Sequence, residues 1–236
     1  MALRRLRANQ PNLEGLEEAF MPMPETLGEE LERSIVQIFA LVGEAITGAT
    51  HALLAGDREL AKALMRADEA IDQLADEVTA RSQEVLVQGW GTTQEREELL
   101  LVLRMVPDLE RNGDLAEHVA RRAARGLGGE LSPRSRGLLE RMGEVAGTIW
   151  SSTAQAYSER SAELAVSVED LDDELDDLHV SITAEIVSGT MPMAVAIELA
   201  LVARFYERFG DHAVNLARRL AALITGGIEP HHLPGE

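Results

Sequence analysis

The sequence predicts an all-α protein built as two tandem three-helix bundles related by an internal repeat, and two observations carry that expectation. Apolar residues recur at intervals of three and four from Glu25 to Gly226-Gly227, which is the helical period, and no segment shows the two-residue alternation of a strand. The second half of the chain also repeats the first. Asp57-Arg58-Glu59-Leu60-Ala61 matches Ser161-Ala162-Glu163-Leu164-Ala165, and Asp68 and Asp72 match Asp172 and Asp176, all 104 positions apart. Glu110-Arg111-Asn112-Gly113-Asp114-Leu115-Ala116 matches Glu207-Arg208-Phe209-Gly210-Asp211-His212-Ala213 at a separation of 97, so a connection in the later copy is seven residues shorter.

Residues 1–24, which end in Met21-Pro22-Met23-Pro24, read as a mobile leader, because proline disfavours helix in the residue before it. Leu27, Leu31, Ile35, Ile38, Val42, Ile46, Ala49 and Leu53 form the stripe of a first helix that ends at Gly56. Asp57 caps a second helix through Leu60, Leu64, Ile71, Leu74, Val78 and Val85, which stops near Gly89-Trp90-Gly91, since aspartate accepts from the free N–H groups of a first turn. Thr92 or Thr93 opens a third helix through Leu99, Leu103, Val106 and Leu109, and Gly126-Leu127-Gly128-Gly129 closes it. Pro107 lies inside that helix, where it should remove a hydrogen bond, kink the helix and displace the motif that follows. Ser132-Pro133 opens the fourth helix, Ser161 caps the fifth, and Gly189 to Met193 leads into the sixth, which stops at Gly226-Gly227. The expected units are residues 25–128 and 132–226, followed by a polar tail at 227–236 that holds His231 and His232. The join between the halves is short, so they are expected to pack on each other rather than swing freely.

Composition narrows the function. Lys and Arg number 22 against 41 Asp and Glu, a net charge of −19, which repels a phosphate backbone and favours cations or basic partners. Aromatics are only 3% of the chain, too few for base-stacking platforms, so nucleic acid binding is not expected. There is no Cys, which excludes disulfides, thiolate metal sites and a thiol nucleophile. No run approaches the roughly 18 apolar residues of a membrane span, and the basic start at Arg4, Arg5 and Arg7 has no apolar region behind it to make a secretory signal. A cytoplasmic location is the expectation. No glycine-rich phosphate loop and no local nucleophile arrangement is present, so catalysis is not expected.

The carboxylates are the distinctive chemistry. Asp68 with Asp72, Glu110 with Asp114, Asp172 with Asp176 and Glu207 with Asp211 are each four apart, so each pair shares one helical face. Such like-charge pairs cost roughly 0.2–0.5 kcal/mol each, and repulsion between facing helices adds to that. Facing pairs would form an all-oxygen nest for a hard cation such as magnesium or manganese, or for iron; the plainer alternative is a solvated acidic face. Gly113 and Gly210 each stand just before an Asp, at a helix-interior cost of about 1 kcal/mol, and close approach of another helix or of a ligand would account for both. His118, one turn after Asp114, and its counterpart Asn215 are candidate outer-sphere groups. His179 follows Asp176 by three but its counterpart is Ala75, and it reads as a boundary residue rather than a ligand. Arg111 and Arg208 are expected to form structural salt bridges, with the Asp three residues on or with a facing carboxylate.

Taken together, Leu109-Glu110-Arg111-Asn112-Gly113-Asp114-Leu115-Ala116, Tyr206-Glu207-Arg208-Phe209-Gly210-Asp211-His212-Ala213-Val214-Asn215 and the acidic clusters one helix earlier resemble the PhoU family over about residues 25–226. The resemblance implies two pseudo-symmetric three-helix bundles with metal clusters on their surfaces, and Asp68, Asp72, Glu110, Asp114, Asp172, Asp176, Glu207 and Asp211 as ligands of a divalent or trivalent metal (iron, manganese, magnesium or zinc). It also implies a non-enzymatic negative regulator of phosphate uptake and starvation signalling. The partners would be the ATPase subunit of a phosphate ABC transporter and a sensor histidine kinase at the inner face of the membrane, with a homodimer as a further expectation. The stretch Gly89 to Glu97 departs from the family, with Glu97 where an arginine is usual, which bears on partner choice. A metal-storage or di-metal oxidase bundle and an adaptor of a different transporter are the competing readings.

Overall fold

The computed structural model describes residues 23–225; the leader expected at 1–24 falls outside them apart from Met23 and Pro24, and the tail at 227–236 falls outside them altogether. Among the described residues the chain forms α1 (Glu25–Ala55), α2 (Arg58–Gln88), α3 (Thr93–Arg125), a short 3-10 helix (Leu127–Glu130), α4 (Pro133–Glu159), α5 (Ala162–Val187) and α6 (Met193–Ile224), and no strand.

The boundaries follow local chemistry. Gly56, Gly89 and Gly126 take left-handed backbone conformations that close α1, α2 and α3, as glycine does without steric penalty. Asp57 accepts from the N–H groups of Glu59 and Leu60, and Ser132 and Ser161 cap α4 and α5. Thr92 is the cap of α3 and forms a reciprocal box with Glu95, which satisfies two orphan donors at once. Arg160 ends α4 at φ 50 without being glycine. Its guanidinium lies 5.4 Å from the Tyr157 ring centroid and within 3.8 Å of Glu32 and Glu98, contacts that hold a conformation costing roughly 1–2 kcal/mol.

Pro107 does not break α3, which continues unbroken to Arg125. Its side chain is exposed, so the carbonyl that loses its N–H partner is on the side where water can replace it.

Within each half the three helices pack on one another, and the halves join where α1 meets α4 and α3 meets α6. One continuous core runs through both. Trp150 of α4 is its centre, 1% exposed. The indole N–H donates to the Phe39 carbonyl of α1 at 2.8 Å, with the Phe39 and Phe209 ring centroids at 5.1 and 5.3 Å. The Thr50 and Tyr206 hydroxyls meet at 2.7 Å between α1 and α6. The halves therefore pack rather than swing.

Because α1 packs on α2, α3 and α4, it is apolar on more than one face. It holds an 18-residue window of mean hydropathy 1.5, long and apolar enough to cross a membrane by composition alone, which corrects the expectation that no segment approaches that threshold. Here the helix carries core positions, with Ile38, Val42, Ile46 and Leu53 fully buried.

Candidate functional site

The eight acidic residues singled out in the sequence fall into two sets of four, one where α2 packs on α3 and one where α5 packs on α6. The Asp68 carboxyl, half-buried, is raised to about 6, first by burial and then by Asp72, Asp114 and Glu117. Burial and the Asp114 charge raise Asp72, and burial with Asp72 and Asp114 raises Glu110. The second set repeats the first. Burial and then Asp211, Asp176 and Glu207 raise Asp172 to about 6, while burial and Asp211 raise Glu207. Facing pairs are thus close enough to oppose one another's ionisation. Among the described residues no three Asp, Glu or His side chains stand in a ligating arrangement about one point; the carboxylates are neighbours rather than a closed cage.

The two glycines mark where the facing helix comes closest. A Cβ on Gly113 would lie 3.1 Å from Asp68 Oδ1 and 3.2 Å from Ile71, and one on Gly210 would lie 2.4 Å from Asp172 Oδ1 and 2.7 Å from Leu175. Asp68 and Asp172, and likewise Ile71 and Leu175, are repeat equivalents. Each glycine makes room for the first aspartate of the opposite helix to lie over the helix backbone. Close approach of a neighbouring helix is therefore what the paired glycines serve.

Several participants were not legible in the sequence. Arg121 and Arg218, repeat equivalents, both hold down the pKa of the first aspartate of their set. Arg121 binds Glu117 at 2.6 Å and Arg218 binds Glu169 at 2.6 Å. Arg204, standing where the first repeat has Pro107, pairs with Glu207. The second oxygen of Glu207 is buried without a hydrogen-bond partner. Arg111 does bridge Asp114 at 3.1 Å, whereas Arg208 is not within ion-pair distance of Asp211. His118 stacks on Phe205 of α6 with centroids 5.1 Å apart, so it lines the seam between the halves. In that same seam Asn112, fully buried, donates to the Phe209 carbonyl at 3.3 Å. His212 Nδ1 lies 2.9 Å from Asp108, which also accepts from Arg219. Asn112 and Phe209 are repeat equivalents, so the two motifs meet each other at the pseudo-symmetric centre.

A hard cation fits what is present: an all-oxygen donor set, carboxyls whose ionisation is opposed by their neighbours, a buried Glu207 oxygen without a donor, and a cradle over glycine that a Cβ would fill. Asp68 and Asp172 rise from 3.8 to about 6 on folding, so between about pH 4 and 6 the folded chain binds more protons than the unfolded one. Their contribution to stability is present below pH 4 and is lost as pH rises through 6. In metal-free protein this protonation should be visible as a melting temperature that rises from pH 7 to pH 5.5, and less so in an Asp68→Asn/Asp172→Asn variant. An equal pH slope in the variant would refute the assignment.

Comparison with known proteins follows this geometry. A family model described as the PhoU domain matches residues 35–123 and again 139–220. The phosphate-specific transport system accessory protein PhoU homolog 1 of Mycobacterium bovis is 30% identical over 200 residues, covering 84% of this chain and 90% of that protein. PhoU homolog 2 of Mycobacterium tuberculosis is 31% identical, covering 84% and 94%. Among solved structures, PhoU from Pseudomonas aeruginosa superposes with a TM-score of 0.80 at 25% identity, covering 85% of this chain and 98% of that one. The phosphate transport system regulatory protein PhoU from Streptococcus pneumoniae shares the fold, with a TM-score of 0.77 at 23% identity over 87% of this chain and 98% of that one.

Proposed function

The chain belongs to the PhoU family, and from that membership we propose that it is a non-enzymatic regulator of a phosphate transport system that couples the transporter's ATPase subunit to a sensor histidine kinase. The observation that carries the reading is the doubled match, since both halves fit the family and the relatives are named accessory proteins of phosphate-specific transport. The two carboxylate sets support a second component, metal binding by Asp68, Asp72, Glu110 and Asp114 and by Asp172, Asp176, Glu207 and Asp211. A bound cation would supply positive charge that offsets the repulsion within each set and ties α2 to α3 and α5 to α6. Iron, manganese, magnesium and zinc all suit that role to different degrees. The protein acts in the cytoplasm at the inner face of the membrane through its partners. Glu97 is exposed at the start of α3, so a partner that reads an arginine there in other family members meets the opposite charge in this one.

The test is cross-linked capture of tagged protein from native membranes of cells grown in high and in low phosphate, beside an Asp114→Asn/Asp211→Asn variant assayed for metal content. Capture of a phosphate-transporter ATPase or a sensor kinase that changes with phosphate is expected, together with metal loss in the variant. Failure to capture either would sink the coupling role, and unchanged metal content would sink the metal assignment.

A further inference from the structure

We propose that the basic start of the leader, Leu3-Arg4-Arg5-Leu6-Arg7, docks on its own chain, in an apolar cleft rimmed by acids where the N-termini of α1 and α3 meet the C-terminus of α4. This docking goes beyond the proposed coupling role and depends neither on it nor on a metal. The cleft has a volume of about 110 Å3 and is lined by Leu31, Ile35, Leu99 and Val102. Glu32, Glu95 and Glu98 stand round it against a single base, Arg160, which itself lies within 3.8 Å of Glu32 and Glu98. A second hollow shares Glu98 and Arg160 with the first and adds Glu97 beside Leu223 and Ile224 of α6. Together they set four carboxylates against one guanidinium over apolar walls, which suits a short segment that mixes arginines with aliphatic side chains. Three observations select the leader as that segment. It has the composition, with three arginines and two leucines within five residues. It also starts from the cleft: Met23 lines it, packs on the core and lies over Gly28, where a Cβ would stand 3.0 Å from its Cε. The chain therefore enters α1 already laid against the bundle. Finally, sixteen residues separate Arg7 from Met23, a tether that extends to about 53 Å and holds the arginines at an effective concentration on the order of millimolar. No basic peptide in solution reaches that level, so the leader is the first occupant. Docked there it covers Glu97, and a partner that approaches the start of α3 must displace it.

The chain has no Cys, so a pair of spin labels can be placed in the full protein without background. Labels at Ala8→Cys and at Gln94→Cys, exposed beside the second hollow, are read by pulsed electron double resonance. A short, narrow distance component is expected, unchanged when labelled protein is diluted with unlabelled. Arg4→Glu/Arg5→Glu/Arg7→Glu should lower that component more than about threefold, the least that three exposed ion pairs are worth. Adding Glu97→Arg should recover part of it. The leader substitutions leave α1 to α6 unaltered, so loss of the component is not a folding effect. A broad distribution with the natural leader, a component that survives the charge reversal, or no recovery with Glu97→Arg overturns docking at this rim. A component that vanishes on dilution overturns it as well, since the leader then sits on a second copy of the chain.

Discussion

Replacing Trp150 with alanine is expected to cost about 3–5 kcal/mol, the largest single loss in the molecule. The side chain is 1% exposed, and its removal leaves a cavity between halves joined by a short connection, where neither helix can collapse inward without dragging its own bundle. The Phe39 carbonyl loses the indole N–H that satisfies it at 2.8 Å, while Phe39 and Phe209 lose a ring partner. Gly43 of α1 is part of the same fit, since a Cβ there would lie 3.2 Å from the indole. For a domain of this size the loss corresponds to about 6–20 °C in melting temperature. Differential scanning calorimetry should show one transition shifted as a whole, since Trp150 touches both halves. A shift of under 2 °C, or an early transition from one half alone, would contradict the central placement of this residue.

The second large effect is expected from Gly210→Ala, and its informative partner is Gly113→Ala. Both gain helix propensity of about 1 kcal/mol. At Gly210 the new methyl would stand 2.4 Å from Asp172 Oδ1 and 2.7 Å from Leu175, so α5 must shift or the aspartate must leave its place over the backbone. Overpacking of this kind costs about 1–3 kcal/mol, which outweighs the propensity gain. At Gly113 the corresponding distances of 3.1 and 3.2 Å require only a few tenths of an ångström of adjustment, and the net change should lie near zero. Under the proposed metal reading, Gly210→Ala should also weaken binding at the second centre and leave the first intact. Equal destabilisation by the two substitutions would show that the glycines serve helix geometry in general rather than the approach of Asp172.

How much of this was legible beforehand depended on whether the signal was local. Asp57, Ser132 and Gly126 each announce a helix boundary by chemistry confined to one turn, and the structure places the boundaries there. The repeat then located the carboxylates, because a pair retained in two copies is visible without knowing what it faces. What faces what was not visible. Arg121 and Arg218 lie two turns beyond their motifs and matter only because α2 and α5 bring aspartates to them. His118 lies at helical spacing from Asp114, yet the seam with α6 turns it toward Phe205. Arg160 gave no warning of a left-handed backbone, since the contacts that hold it come from α1 and α3. Pro107 is carried on the exposed side of an α3 that continues to Arg125, which the sequence pattern did not show.

The Asn112–Phe209 contact has a consequence for origin as well as for stability. Equivalent positions of two similar halves meet there, as residues do on the dyad of a symmetric pair, and the surface of each half around it is covered only by the other half. A chain ending after α3 would expose Phe39, Gly43 and Asn112 together, and the nearest match for that surface would be a second copy of itself. The molecule thus has the form of an ancestral homodimer made permanent by duplication and fusion. Once fused, the two copies no longer had to be identical at their shared axis, and asparagine opposite phenylalanine is a record of that freedom.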